Sequence, residues 1–215
     1  MSISKSIFSS ILIAGIVGSL VSCSDDDPTA IPIPAITISN LEADPATGFD
    51  PMTGQPQGTT GKFKLFSFES GGVVANSDSA TSNWDLGFRG TTIIVNGGTS
   101  GPGTAQAQVL TGIFDELLEA PETGYFFDSA PTYAIPTGSG NGWYNATGGG
   151  PTSPTVVTPI AGRVIVVKTA NGRYAKVEIL SYYKDAPASP TGTEPARYYT
   201  FRYVYQPNDT RKFEN

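Results

Sequence analysis

The 215 residues include no histidine, and only 15% are charged, with 19 Asp and Glu against 13 Lys and Arg for a formal net charge of −6. The commonest general base and metal ligand is therefore missing, and the acidic balance argues against a nucleic-acid partner, which would draw on clustered Lys and Arg. The 25 glycines and 17 prolines favour many short strands joined by turns over long helices.

Met1 to Ser22 places Lys5 ahead of an apolar run, Ile11 to Gly18, and small residues before Cys23. This reads as a lipoprotein signal peptide over 1–22, too short to span a membrane. Cys23, the sole cysteine, is the expected lipidation site, which leaves no free thiol for disulfide or redox work. Ser24 to Asp27 is an acidic cluster beside that anchor. Residues 23–61, with several prolines and glycines and few large side chains, are expected to form a lipid-anchored flexible stalk. Within it, Ile31, Ile33, Ile36 and Ile38 offer one edge strand, because Pro32 and Pro34 exclude a central one. Met52, the only methionine after the leader, also lies there.

The β domain is expected over 62–207. Phe63, Leu65 and either Phe66 or Phe68 give one apolar face, followed by a glycine turn and a short strand at Val73-Val74. Asn83 to Gly98 reads as two strands and a reversal, with Asn96-Gly97-Gly98 supplying the positive φ angles of the turn. We take this hairpin as the centre of the sheet, with Trp84, Leu86 and Phe88 facing the core. Val109-Leu110 is a short apolar stretch after a Gly/Ser/Thr loop.

Ile113 to Glu119 is the helical candidate, about two turns, with Ile113, Leu117 and Leu118 on one face and Asp115, Glu116 and Glu119 on the other. Carboxylates one or two steps apart on a helix diverge, so the cluster does not make the facing pair that glycoside hydrolysis needs. Gly124 to Asp128 is read as a strand and Tyr133 to Ile135 as a brief one. Pro136 to Pro159 is a long loop carrying the Trp143-Tyr144 pair. Arg163 to Lys168, a turn at Asn171-Gly172, Tyr174 to Tyr183 and Tyr198 to Tyr205 complete a meander. Residues 208–215 are a C-terminal tail. The fold class is all-β and antiparallel, with many short strands and one short helix.

Phe66-Ser67-Phe68 with Gly72-Val73-Val74, Asn83-Trp84-Asp85, Asn96-Gly97-Gly98, Gly124-Tyr125, Gly142-Trp143, and Arg163-Val164 leading through Gly172 to Ala175-Lys176-Val177 follow one another in an order and spacing that resembles the HmuY family of Bacteroidetes lipoproteins. The resemblance covers about Phe63 to Tyr205. It implies an all-β fold shaped like a grasping hand, and capture of haem for uptake through an outer-membrane TonB-dependent receptor. Ser24-Asp25-Asp26-Asp27 likewise resembles the acidic tag that sends such lipoproteins to the outer face of the outer membrane.

The departure from the family concerns the iron. The founding protein holds haem iron between two histidines and some relatives use methionines, from the region between Gly124-Tyr125 and the Arg163 strand; here that region holds neither. A tyrosine phenolate is the remaining reasonable ligand. Tyr133, Trp143 and Tyr144 are the candidate cofactor-binding residues, with Tyr133 or Tyr144 facing the iron, and Arg89, Arg163 or Arg197 meeting a propionate. The metal ligand is otherwise unassigned. The alternative is a binding module for a glycan, peptide or other ligand, stacked on Trp143 and Tyr144. With no histidine, the one cysteine acylated and no facing carboxylates, an enzyme is not expected.

Overall fold

The computed structural model describes residues 31–49, 51–52, 56–150 and 153–214; the leader, Cys23 and the acidic run after it lie outside them. Thirteen strands follow in chain order: β1 (Ile36–Glu42), β2 (Gly48–Phe49), β3 (Pro56–Gln57), β4 (Lys64–Ser67), β5 (Gly72–Val74), β6 (Leu86–Arg89), β7 (Thr92–Val95), β8 (Gln106–Thr111), β9 (Tyr144–Thr147), β10 (Val156–Pro159), β11 (Arg163–Lys168), β12 (Tyr174–Tyr183) and β13 (Ala196–Gln206). They form a five-stranded sheet in the order β1-β13-β12-β11-β8, a four-stranded sheet β5-β4-β6-β7, and the two-stranded ribbons β9-β10 and β2-β3. Every strand pair is antiparallel, as expected for an all-β chain.

The two larger sheets face each other across one core. Alternation sends Phe66 from β4, Leu86 and Phe88 from β6, and Ile93 and Val95 from β7 inward to meet Ile165, Val167, Val177, Tyr199, Phe201 and Tyr203. The rings pack edge to face: Phe66 lies 5.4 Å from Phe201 and 5.7 Å from Tyr203, while Phe88 stacks on Phe201 at 5.4 Å. Phe63 and Leu65 turn the other way, into a smaller cluster with Trp84 and Ile94. The outer face of the five-stranded sheet buries Val164, Val166 and Val204 under Phe114, Ala120 and Phe213.

Buried carboxylates fasten this framework. Asp85 accepts the Phe68 amide at 2.8 Å and the Ala170 amide at 2.9 Å, which ties the four-stranded sheet to the β11–β12 turn. Asp128 accepts the Val95 and Ala134 amides at 2.9 and 2.8 Å. Burial pushes both carboxyls above their ordinary values, although these amide bonds pull the other way.

Several sequence expectations are corrected. The β6–β7 reversal occurs at Gly90-Thr91, with Gly90 at φ +53°, whereas Asn96 is fully buried and donates its side-chain amide to the carbonyls of Trp84 and Thr81. A fastening asparagine replaces the expected turn. That hairpin belongs to the four-stranded sheet, with β7 at its edge; the larger sheet is centred on β12.

The expected two-turn helix is a single 3-10 turn, Phe114–Glu116. Lys176 reaches over from β12 and its Nζ donates to the carbonyls of Phe114 at 2.7 Å and Leu117 at 2.9 Å. An α-helix would need the first of these carbonyls for its own ladder. Phe114 is the buried residue, and Ile113 and Leu118 stay exposed. Gly124 to Asp128 makes only isolated bridges, at Phe126 and Asp128, because Asp128 pins the segment through its side chain. Tyr133 to Ile135 forms no strand, and the expected long loop contains the β9–β10 hairpin.

The segment expected to be a stalk joins the domain from Pro32, which bridges Glu214, and Ile33, which packs on the Phe114 and Phe213 cluster. β1 pairs with β13 as an edge strand, starting two residues after Pro34, and Leu41 and Ala43 enter the main core. At the other end Phe213 is buried, its amide bonded to the Leu118 carbonyl, so the tail is docked.

Candidate ligand-binding cleft

Where the five-stranded sheet reaches the Pro-rich loop after β12, the ladder slips. Ile179 faces Phe201 and Ser181 faces Thr200, but Tyr183 faces Ala196, so Tyr182 alone stands opposite Arg197, Tyr198 and Tyr199. A bulge of this kind re-aims side chains. Tyr199 stays fully buried, while Arg197 and Tyr198 leave the alternation and join Tyr182 in the wall of a cleft of about 1180 Å³. The opposite wall comes from the Asp44 to Phe49 segment, from Gly61 and from the β6–β7 turn with Arg89; the ends are closed by Pro154 to Val157 and Gly192 to Pro195.

Arg197 carries a left-handed backbone, φ +69°, which is costly for a residue with a long side chain. Its carbonyl accepts the Ala43 amide at 2.8 Å, and its Nη1 donates to the Asp44 carbonyl at 2.9 Å. The Asp44 carboxylate is occupied by the Thr60 amide and hydroxyl, at 2.7 and 2.9 Å, and by the Gly61 amide at 2.8 Å. Burial alone would raise its pKa, but these bonds and the charge of Arg197 hold it below the ordinary value. Arg89 donates from Nη1 to the Gly61 carbonyl at 2.8 Å and lies 4.2 Å above the Phe63 ring.

The two cleft arginines differ from most others in the chain. Arg173 pairs with Asp209, Arg202 with Glu178 and Asp115, and Arg211 with Glu119. Among the described residues, neither Arg89 nor Arg197 makes an ion pair; both donate to neutral carbonyls, and Arg197 also hydrogen-bonds the Tyr182 side chain. Arg163, the third candidate from the sequence, also lacks one, but it donates to the Thr111 hydroxyl at 3.0 Å and is not part of the cleft wall.

Trp143 and Tyr144 come together, rings 4.9 Å apart, beneath the cleft and not in its wall. Both are buried. The Trp143 indole donates to the carbonyl of Thr91, a cleft residue, at 3.1 Å, and its ring lies 5.1 Å from Tyr199 and 5.9 Å from Tyr182. The pair forms a layer under the floor. Tyr133 is elsewhere, packed on the Leu65, Trp84 and Ile94 cluster.

Of the tyrosines in the wall, Tyr183 accepts the Val157 amide at 2.9 Å, and burial pushes the Tyr182 phenol up to about 12, against the pull of Arg197. Tyr182 is therefore a protonated phenol at neutral pH. Sequence reasoning missed Tyr182, Tyr198 and Asp44 as cleft residues, and it placed the Gly48–Gln57 ribbon in the stalk. The remaining wall is mostly apolar or hydroxylated, with Phe49, Val157, Pro154 and Pro195 alongside six threonines, and it carries one further carboxylate, Glu194, which accepts the Thr191 and Gly192 amides.

The profile of the HmuY protein family matches residues 60–203. Among solved structures, the apo HmuY analogue of Tannerella forsythia is 16% identical with a TM-score of 0.42, covering 86% of this chain and 100% of its own. A candidate HmuY-like haem-binding protein of Bacteroides vulgatus is 17% identical with a TM-score of 0.46, over 80% of this chain and 90% of its own. Apo PinO of Porphyromonas gingivitis is 18% identical with a TM-score of 0.40, over 80% and 96%. No curated protein matches the sequence.

Proposed function

The chain belongs to the HmuY family, and from that premise we propose that it is a surface lipoprotein that binds haem or a related porphyrin for uptake. Lipidation at Cys23 would tether it to the outer membrane, and the acidic run after the cysteine would direct it to the cell surface, where a TonB-dependent receptor is the natural recipient of its cargo. HmuY proteins are of a haem-binding type and are binding proteins rather than enzymes.

The observation that carries this reading is the pair Arg89 and Arg197: two guanidiniums without ion pairs in the wall of one large cleft. A porphyrin with two carboxylates needs such donors and an apolar slot for the macrocycle. Phe49, Val157, Tyr182 and Tyr198 supply the apolar part. The iron is less well served. Tyr182 holds its proton, Tyr144 is buried under the floor, and Tyr133 lies in a separate cluster. The wall fits the macrocycle and its carboxylates better than it fits an axial ligand, and we assign no residue to the metal.

Titration of haemin and of iron-free protoporphyrin into the domain tests this. Both are expected to bind at micromolar protein and to quench Trp143, the indole beneath the cleft. An unshifted Soret band together with unquenched fluorescence would overturn the reading. The six threonines of the wall favour one second reading, a glycan ligand held by hydroxyl contacts; glycan-array binding without porphyrin binding would select it.

A further inference from the structure

We infer that Arg197 is the specificity-determining residue of the cleft, held on its β-bulge in a left-handed conformation so that its guanidinium meets a carboxylate of the ligand. This rests on the reading of the cleft as the porphyrin site.

Three independent observations converge on Arg197. The first is register. Tyr182 alone faces Arg197, Tyr198 and Tyr199, and without that slip Arg197 would continue the inward phase of Tyr199, Phe201 and Tyr203 into the core, where an unpaired cation is very costly. The second is backbone conformation. At φ +69° glycine would sit without strain, and the neighbouring bonds, from the Ala43 amide to the Arg197 carbonyl and from Nη1 to the Asp44 carbonyl, over-determine the strained form. The third is charge. The guanidinium has five N–H donors; it meets two neutral partners, the Asp44 carbonyl and the Tyr182 hydroxyl, and no carboxylate lies in ion-pair range among the described residues.

A purely structural role would require only the backbone carbonyl and the two neutral contacts, to the Asp44 carbonyl and the Tyr182 hydroxyl, neither of which needs a charge. A forked, charged head at a strained position in the cleft wall adds what a carboxylate ligand needs: planar, charge-assisted donors in a fixed orientation. The ligand class is therefore a flat, largely apolar molecule with at least one carboxylate on its edge, recognised through that carboxylate. Arg89 is the natural partner for a second one.

The experiment compares protoporphyrin with its dimethyl ester, titrated in dilute detergent into the wild-type chain and into Arg197→Gly and Arg197→Lys, read by Trp fluorescence quenching. The expected result is that Arg197→Gly reduces the ratio of diacid to ester affinity about tenfold or more, the magnitude of one lost charge-assisted bond, without lowering Tm. Arg197→Lys, which keeps the charge but not the fork, falls between. An unmoved ratio, or equal losses for acid and ester, overturns the inference. If Arg197→Gly does not fold, the ratio measured for Arg197→Lys decides. Failure of the wild-type chain to bind either porphyrin overturns the reading of the cleft itself, and is distinguishable from a wild-type chain that binds both with a ratio indifferent to residue 197.

Discussion

One strand, β13, supplies two regions of opposite character. From Tyr199 to Tyr203 its alternation is regular, and Tyr199, Phe201 and Tyr203 are 0–1% exposed among the rings of both sheets. Two residues earlier the same strand is bulged, its backbone strained, and its arginine in the wall of a cleft. The regular stretch spends its three rings on packing and pairs its one charge, Arg202, with Glu178 and Asp115, whereas the slipped stretch holds a charge without an ion pair. A fold acquires a site here by slipping its register against β12 over three residues that stay bonded to β1 and Ala43 on the other side.

The comparison is broken most directly from the packed side. Phe201→Ala removes a ring in contact with Phe66, Phe88 and Tyr203 and is expected to cost about 3–5 kcal/mol in denaturant unfolding. A loss under about 1 kcal/mol would mean that the core relaxes as readily as the cleft and that the contrast is false.

The next effect concerns the carboxylates that hold the two regions in place. Asp85→Asn leaves a single acceptor for two amides, those of Phe68 and Ala170, and is expected to cost about 1–3 kcal/mol. The pH dependence follows from its raised pKa. Folding disfavours ionisation of Asp85, so the stability it contributes is greatest below the unfolded aspartate value and declines as pH rises through the folded value. Tm measured between acid and neutral pH should lose part of that decline in the variant; an unchanged profile would contradict it.

Asp44, at the cleft, has the opposite sign and the smaller effect. Its pKa is held down by Thr60, Gly61 and Arg197 against the effect of burial, so its contribution is present above the unfolded value and lost as pH falls through the folded one. Asp44→Asn is expected to cost about 1 kcal/mol or less at neutral pH and to flatten the acid limb of the Tm profile. Profiles for Asp85→Asn and Asp44→Asn that change in the same direction would erase the distinction between core and cleft electrostatics.

The regular part of the fold was legible in the sequence. Strands β11 and β12 occupy the expected residues because a period of two, bounded by Asn171-Gly172, has few other solutions. The failures are long-range. Nothing near Phe114 announces that Lys176, 62 positions away, takes the carbonyl a helix would have used. The cleft is built likewise from segments as distant as Asp44 and Arg197, whose contact spans 153 positions. One signal was present locally. Extending the phase of Tyr199, Phe201 and Tyr203 backward puts an arginine in the core, and that conflict marks a bulge. The Trp143-Tyr144 pair is conspicuous in a glycine-rich stretch, but both rings are buried in the core and neither lines the cleft.

The contact between Pro32-Ile33 and Phe213-Glu214 has a mechanical consequence. The Ile33 amide bonds to the Phe213 carbonyl, Pro32 bridges Glu214, and β1 then runs along β13 from Ile36 to Glu42. A pull applied to the chain ahead of Ile31 first meets the clasp that joins Pro32 and Ile33 to Phe213 and Glu214. Beyond it the load falls on the β1–β13 ladder roughly along its length, so that several hydrogen bonds share the force instead of opening one at a time. The same ladder backs the cleft, since Leu41 and Glu42 face Tyr199 and Tyr198. Tension on the leading segment therefore reaches Arg197 last, and ligand retention under drag should outlast the clasp.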